Sequence, residues 1–231
     1  MDNDTIVSIA TSSGNASIGV IRISGDNAQL IGEQISKSSL APRQAHFRSI
    51  YKNNRTIDQG IIILFKNPHS FTGEDIVEIQ AHGGDVVLNL LLEECINLGA
   101  RQADAGEFSK RAFLNNKIDL AQAEAISDLI SASSESAAIS AINSLQGLFS
   151  ERIHTLLNKT VALRVEIEAS IDFPDEDIEL IDNTTVKAMF LNIKNDIEQL
   201  ETSINQGSII QNGIKAVLLG EPNAGKSSLL N

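Results

Sequence analysis

Residues 75–99 read DIVEIQAHGGDVVLNLLLEECINLG, a strand pattern that passes through two glycines into a helical one. Up to His82, Ile and Val alternate with Glu78 and Gln80, the period of a strand with one face in a core. From Asp85 the apolar residues recur at helical spacing, and Gly99 marks the stop. A strand feeding a helix through a short turn sets the class as α+β or α/β. Outward from it, IVSIAT (6–11), IGVIRIS (18–24) and IDQGIIILFK (57–66) are Ile- and Val-rich strand candidates, and Asp26 to Lys37 has helical spacing. These segments form a first domain over residues 1–118.

A different period follows. From Ala138 the stripe runs Ile142, Leu145, Phe149, Ile153, Leu156, Thr160, Leu163, Ile167 and Ile171, in steps of three and four. This predicts one helix of about 33 residues, or ~50 Å at 1.5 Å rise per residue. Pro174 pushes Phe173 out of helical geometry and ends it. A second helix carries Val186, Phe190, Ile193, Ile197, Leu200 and Ile204 on one face, and Gly207 to Gly213 reads as a linker. The helical domain, residues 119–213, is expected to be an incomplete bundle whose stripes are core seams.

Charge separates the same zones. The chain carries 30 acidic and 18 basic residues, for a net charge of −12. Residues 1–118 contribute −2 of it and residues 119–206 contribute −11. The acidic middle repels nucleic acid, so any contact with RNA is expected through the first domain, a further segment or a partner protein. The single Cys95, set in a helical apolar pattern, excludes an internal disulfide framework and reads as a small buried hydrophobe. No run approaches the ~18 apolar residues of a membrane span, and no secretory signal pattern opens the chain, so the expected location is cytoplasmic.

The chain ends in KAVLLGEPNAGKSSLLN, residues 215–231. Gly220-Glu-Pro-Asn-Ala-Gly-Lys-Ser227 matches the phosphate-binding loop, with an apolar strand before it and a helix start after it. Glycines let backbone N–H groups converge on phosphate oxygens, Lys226 meets the outer phosphates, and Ser227 is the Mg²⁺ ligand. Residues 214–231 are thus the first strand and P-loop of an α/β nucleotide-hydrolase domain, and the motif by itself fits GTP or ATP. Only a few residues of the following helix are present, short of the ~12–15 that marginal isolated helicity needs. This stretch is therefore expected neither to bind nucleotide tightly nor to hydrolyse it. Micromolar binding of labelled GTP to the purified chain would overturn that expectation.

The stretches DNDTIV (2–7), GVIRISG (19–25), FTGEDIVEIQAHGG (71–84), GEFSKRAFLNNKIDLAQAEAISDLI (106–130), SLQG (144–147), IDFPDE (171–176) and GEPNAGKSSLLN (220–231) resemble, in order, the MnmE (TrmE) family of tRNA modification GTPases. The resemblance spans essentially the whole chain and implies the front part of a longer protein. It implies a folate-binding, aminomethyltransferase-like N-terminal domain that mediates homodimerisation, then a helical domain into which the GTPase domain is inserted. It also implies a flavin-using partner, MnmG (GidA), with which C5 of the wobble uridine of certain tRNAs is modified. The implied cofactors are 5,10-methylene- or formyl-tetrahydrofolate, Mg²⁺ and K⁺, with GTP as substrate.

By the same resemblance Arg22, Glu78 and Lys117 are folate-site residues. Asn223, Ala224, Gly225, Lys226, Ser227 and Ser228 are the nucleotide loop, with Asn223 on K⁺ and Ser227 on Mg²⁺. No catalytic residue is assigned. The chemistry fits: a glutamate tail suits Arg or Lys, and a pterin with adjacent N–H donors suits a carboxylate. Either Arg22 or Lys117 faces the tail. The chain alone is expected to keep folate binding and dimerisation without GTPase activity, and to expose the apolar seams that further helices of the longer protein would cover. Two rival readings are a stand-alone folate-dependent one-carbon transferase and a regulatory P-loop adaptor that makes no use of folate.

Overall fold

A computed structural model describes residues 4–12, 14, 16–172, 183–212 and 219–220, and it divides into two compact units, residues 1–123 and 124–231. The first unit is built on six strands: β1 (Ile6–Ile9), β2 (Ala16–Ser24), β3 (His46–Lys52), β4 (Arg55–Phe65), β5 (Ile76–Gly83) and β6 (Arg101–Gln102). They lie in the order β3-β4-β5-β2-β1-β6, and every pair is antiparallel except β1 with β6. Alternation decides which face is covered. Val7, Ile21, Ile23, Ile62, Leu64, Val77 and Ile79 form one core with helices α1 (Ala28–Ser36) and α2 (Asp85–Asn97). Leu88, Leu91 and Cys95 turn the apolar stripe of α2 into that core, and burial pushes the Cys95 thiol up to about 12, which keeps it unreactive.

The four strands expected from Ile and Val content are present as β1, β2, β4 and β5. Strand β3 and the short helix α3 (Glu107–Leu114) had no expectation of their own. In β3, HFRSIYK, only Ile50 is buried, so the apolar alternation that announces a strand is missing. Its pairing with β4 is set by a two-residue turn, Asn53-Asn54, with both residues at positive φ (47° and 66°).

The second unit holds helices α5 (Glu135–Leu145), α6 (Leu148–Asp172) and α7 (Asn183–Asn212); α4 (Leu120–Ser131) spans the division between the units. Ser134 caps α5 by accepting the Ala137 N–H at 3.2 Å. The single 33-residue helix does not form. Gly147, at φ 87°, separates α5 from α6, a left-handed turn that closes one helix and lets the chain start another. The linker over 207–213 is corrected too: α7 continues through Gly207 to Asn212, because one glycine costs a helix only about 1 kcal/mol. Of the expected seams, Leu163 and Ile193 are buried, whereas Ile153, Ile167, Ile171, Phe190, Ile197 and Ile204 remain exposed.

Candidate functional site

The sheet face away from α1 and α2 carries the polar residues that interrupt the apolar strands. In register across it lie Ser8 of β1, Arg22 of β2, Glu78 of β5 and Ile63 of β4. Arg22 and Glu78 therefore face each other on neighbouring strands. Arg22 Nε donates to Glu78 Oε1 at 2.8 Å, and Nη2 reaches the same oxygen at 2.7 Å. The guanidinium carbon sits 5.7 Å from the Phe71 ring centroid and 5.8 Å from that of Phe108, within cation–π range of both. Both charged side chains are partly open, at 31% and 20% exposure. Among the described residues, Glu78 Oε2 and Arg22 Nη1 make no hydrogen bond. The pair thus keeps one acceptor and one donor group for a ligand.

Phe71 comes from the 66–75 connection between β4 and β5, which is tied down along its length. Lys66 pairs with Asp75 at 2.6 Å, and Asp75 also accepts the Asn67 N–H at 2.9 Å. Thr72 is fully buried, with its hydroxyl 2.7 Å from that of Ser24, and its carbonyl accepts Asn115 Nδ2 at 2.7 Å. Lys117 belongs to the same assembly: its Nζ donates to the Pro68 carbonyl at 2.9 Å. Its stem lies over Gly73, where a Cβ would come within 3.2 Å of it. Gly73 has φ 79°, a left-handed conformation that favours glycine there. The structure therefore brings Arg22 and Glu78 into contact and places Lys117 on the connection that supplies Phe71. Among the described residues no hydrogen bond or ion pair joins Lys117 to the pair.

Beneath this connection runs a charge network that the sequence alone did not indicate. Arg111 of α3, 8% exposed, donates to the Asp4 carbonyl at 2.8 Å and to the Asp4 carboxylate at 2.6 Å. It also meets Glu107 at 3.1 Å and Glu74 at 3.2 Å. Arg101 of β6 joins Asp4 at 2.6 Å and Glu107 at 2.7 Å, and Ser24 donates to Glu74 at 2.7 Å. The Arg101 guanidinium, helped by the Asp104 N–H and Arg111 and opposed by burial, pulls the Glu107 carboxyl down to about 2. Arg101, then Arg111, also hold Asp4 below the usual carboxylate range against partial burial. The network fixes α3, and with it Phe108, over the Arg22 side of the sheet.

Two flanking features differ from what the motifs alone indicated. His82, where the apolar alternation ends, lies near the end of β5 with its ring Nδ1 2.7 Å from Asp58. Phe71 and Phe108 stand in stretches 71–84 and 106–130, yet nothing in their local pattern marks them as neighbours of Arg22. Asn223, Ala224, Gly225, Lys226, Ser227 and Ser228 lie outside the described residues, as do the metal assignments on Asn223 and Ser227. Among the described residues there is no cluster of three metal-ligating side chains, and no helix is long and apolar enough to cross a membrane.

Fold and site together define a class: a mixed-sheet domain with a charged, aromatic-flanked pair on its open face, followed by a helical domain. A family model described as the GTP-binding protein TrmE N-terminus matches residues 5–117, and one described as the MnmE helical domain matches residues 120–228. A protein of Francisella tularensis subsp. tularensis strain SCHU S4 named tRNA modification GTPase MnmE is 55% identical over 228 residues. That alignment covers 99% of this chain and 51% of the relative. A protein of the same name from Francisella philomiragia is 53% identical over the same length and shares. The chain belongs to the MnmE (TrmE) family and spans about half the length of the curated relatives it matches.

Proposed function

We propose that this chain is the folate-holding, self-associating front part of a tRNA modification GTPase. The observation that carries the reading is the Arg22–Glu78 pair, set in register across β2 and β5, flanked by Phe71 and Phe108, with an unused donor and acceptor. The donor set fits a reduced folate. Either Arg22 or Lys117 supplies the cation for its glutamate carboxylates, and Glu78 Oε2 accepts N–H groups of its pterin. Such a folate supplies the one-carbon unit, and the residues of this chain bind and orient it. Self-association joins two copies of domain 1–118. Residues 119–213 form the helical domain, and 214–231 open the GTPase domain.

In that domain Lys226 and Ser227 with Mg²⁺, and Asn223 with K⁺, hold the phosphates of GTP. The reaction partner is a flavoprotein of the MnmG (GidA) type, the substrate is a tRNA wobble uridine modified at C5, and the compartment is the cytoplasm. The names of the relatives support tRNA modification and GTP hydrolysis, the phosphate-loop sequence supports the nucleotide site, and the rest follows from the family resemblance. The test uses the longer protein with its flavoprotein partner. Arg22→Ala is expected to lower tRNA modification about tenfold or more, the scale of one charge-assisted hydrogen bond, while K⁺-stimulated GTP hydrolysis stays within about twofold. Unchanged modification, or an equal fall in both activities, would refute the folate role of Arg22.

A further inference from the structure

From Lys37 to Ile57 the chain carries Lys37, Arg43, Arg48, Lys52 and Arg55 and no Asp or Glu, although acidic residues outnumber basic ones 30 to 18 overall. A solvated face ordinarily mixes both signs. The fold gathers this stretch at one place, the connection after α1, the outermost strand β3 and the start of β4. Among the described residues only Lys52 has a carboxylate partner there, Glu93 of α2. Arg48 donates to the Phe47 carbonyl at 3.0 Å and Arg43 to the His69 carbonyl at 2.7 Å. Lys37 lies 4.3 Å from the Tyr51 ring centroid, and the Arg55 side chain makes no hydrogen bond or ion pair among the described residues. Across the Asn53-Asn54 turn, Lys52 and Arg55 are direct cross-strand partners, an arrangement of like charges that costs stability. Phe47, 64% exposed, adds a free aromatic face to the same edge.

Exposed cations without carboxylate partners among the described residues, here Arg43, Arg48 and Arg55, beside an open ring, are the footprint of a nucleic-acid backbone. We propose that this edge, β3 with the 37–45 connection and Arg55, contacts the phosphates of the tRNA; this rests on the reading that the protein acts on tRNA. The edge positions the RNA and carries no base specificity. It also explains how an acidic protein holds a polyanion: the edge lies in the domain whose net charge is only −2, while residues 119–206 hold −11. A plainer role for edge cations is to block strand-to-strand aggregation, and charge reversal separates the two, because glutamates also block aggregation but repel phosphate.

The experiment is fluorescence anisotropy of a labelled, unmodified tRNA transcript titrated with the full chain between 50 and 300 mM KCl. It compares Arg48→Glu/Arg55→Glu with Lys187→Glu/Lys194→Glu, which makes the same charge change on exposed sites of α7. All four positions are exposed, and far-UV circular dichroism melts confirm folding of each variant. The edge variant is expected to bind about tenfold more weakly or worse. Its log–log salt slope should fall by roughly 0.7–0.9 for each phosphate that is no longer neutralised. The α7 variant should change less than about twofold. If the unsubstituted chain binds tRNA and the edge variant binds equally well, or both variants weaken alike, the edge assignment fails while the tRNA reading stands. If the unsubstituted chain binds no tRNA at 50 mM KCl, or binds anionic phosphatidylserine vesicles instead, the edge assignment fails and the tRNA reading loses support with it.

Discussion

Replacing Arg111 by alanine is expected to lower the stability of the sheet domain by about 3 kcal/mol, within the range for removing one member of a buried charge cluster. Arg111 is 8% exposed and meets the carboxylates of Asp4, Glu74 and Glu107 together with the Asp4 carbonyl. Without it three acids crowd one site and a backbone acceptor loses its donor. Lysine rescues little, since a single ammonium cannot reproduce the fork that reaches four acceptors. Urea unfolding followed by Tyr51 fluorescence reads the effect, because the chain has one Tyr and no Trp, and Tyr51 lies in this domain. A decrease below about 1 kcal/mol would mean the network is incidental.

The acid limb follows from the same network. Glu107 titrates at about 2 in the folded chain against an ordinary 4.5, and Asp4 is also lowered. A lowered carboxylate stabilises the fold fully above its unfolded pKa, so the contribution is present above about pH 4.5 and is lost as pH falls through about 2. Because Arg101 is the largest cause of both shifts, Arg101→Ala should flatten this acid dependence more than Arg111→Ala does.

The second large effect is on ligand affinity. Arg22→Ala is expected to weaken 5-formyltetrahydrofolate binding by about 1.5–3 kcal/mol, the cost of removing a charge-assisted hydrogen bond. Glu78→Gln keeps the shape and leaves an amide oxygen for Arg22 Nε and Nη2, but it puts an amide donor where Oε2 would accept ligand N–H groups, so it should weaken binding by a similar amount. Neither change should unfold the domain: the pair is partly open to solvent, where such ion pairs contribute about 0–1 kcal/mol. Isothermal titration calorimetry together with the Tyr51 melt separates an effect on affinity from one on the fold. Affinity unchanged in both variants would remove the pair from the site.

How much of this could be read beforehand divides by range. Strands β2 and β5 were legible because Ile and Val alternate over a buried face; Arg22 and Glu78 fall on the other face of that alternation and were marked only by the family resemblance. That they meet depends on the register of two strands 56 residues apart, which no local pattern encodes. The same holds for Phe71 and Phe108, and for Arg111, which looks like an ordinary helix-surface cation until α3 is laid against Asp4 and Glu74. Strand β3 was missed because its exposed positions carry Arg and Phe alike and only Ile50 is buried. In the second unit the apolar period runs through Gly147 without a break, whereas the backbone turns there at positive φ.

The folate reading is tested most directly by an equilibrium titration of the purified chain with 5-formyltetrahydrofolate, repeated on the longer protein. Saturable binding at one site per chain is expected, weakened in Arg22→Ala and in Glu78→Gln. Absence of saturable binding to both the chain and the longer protein would contradict it.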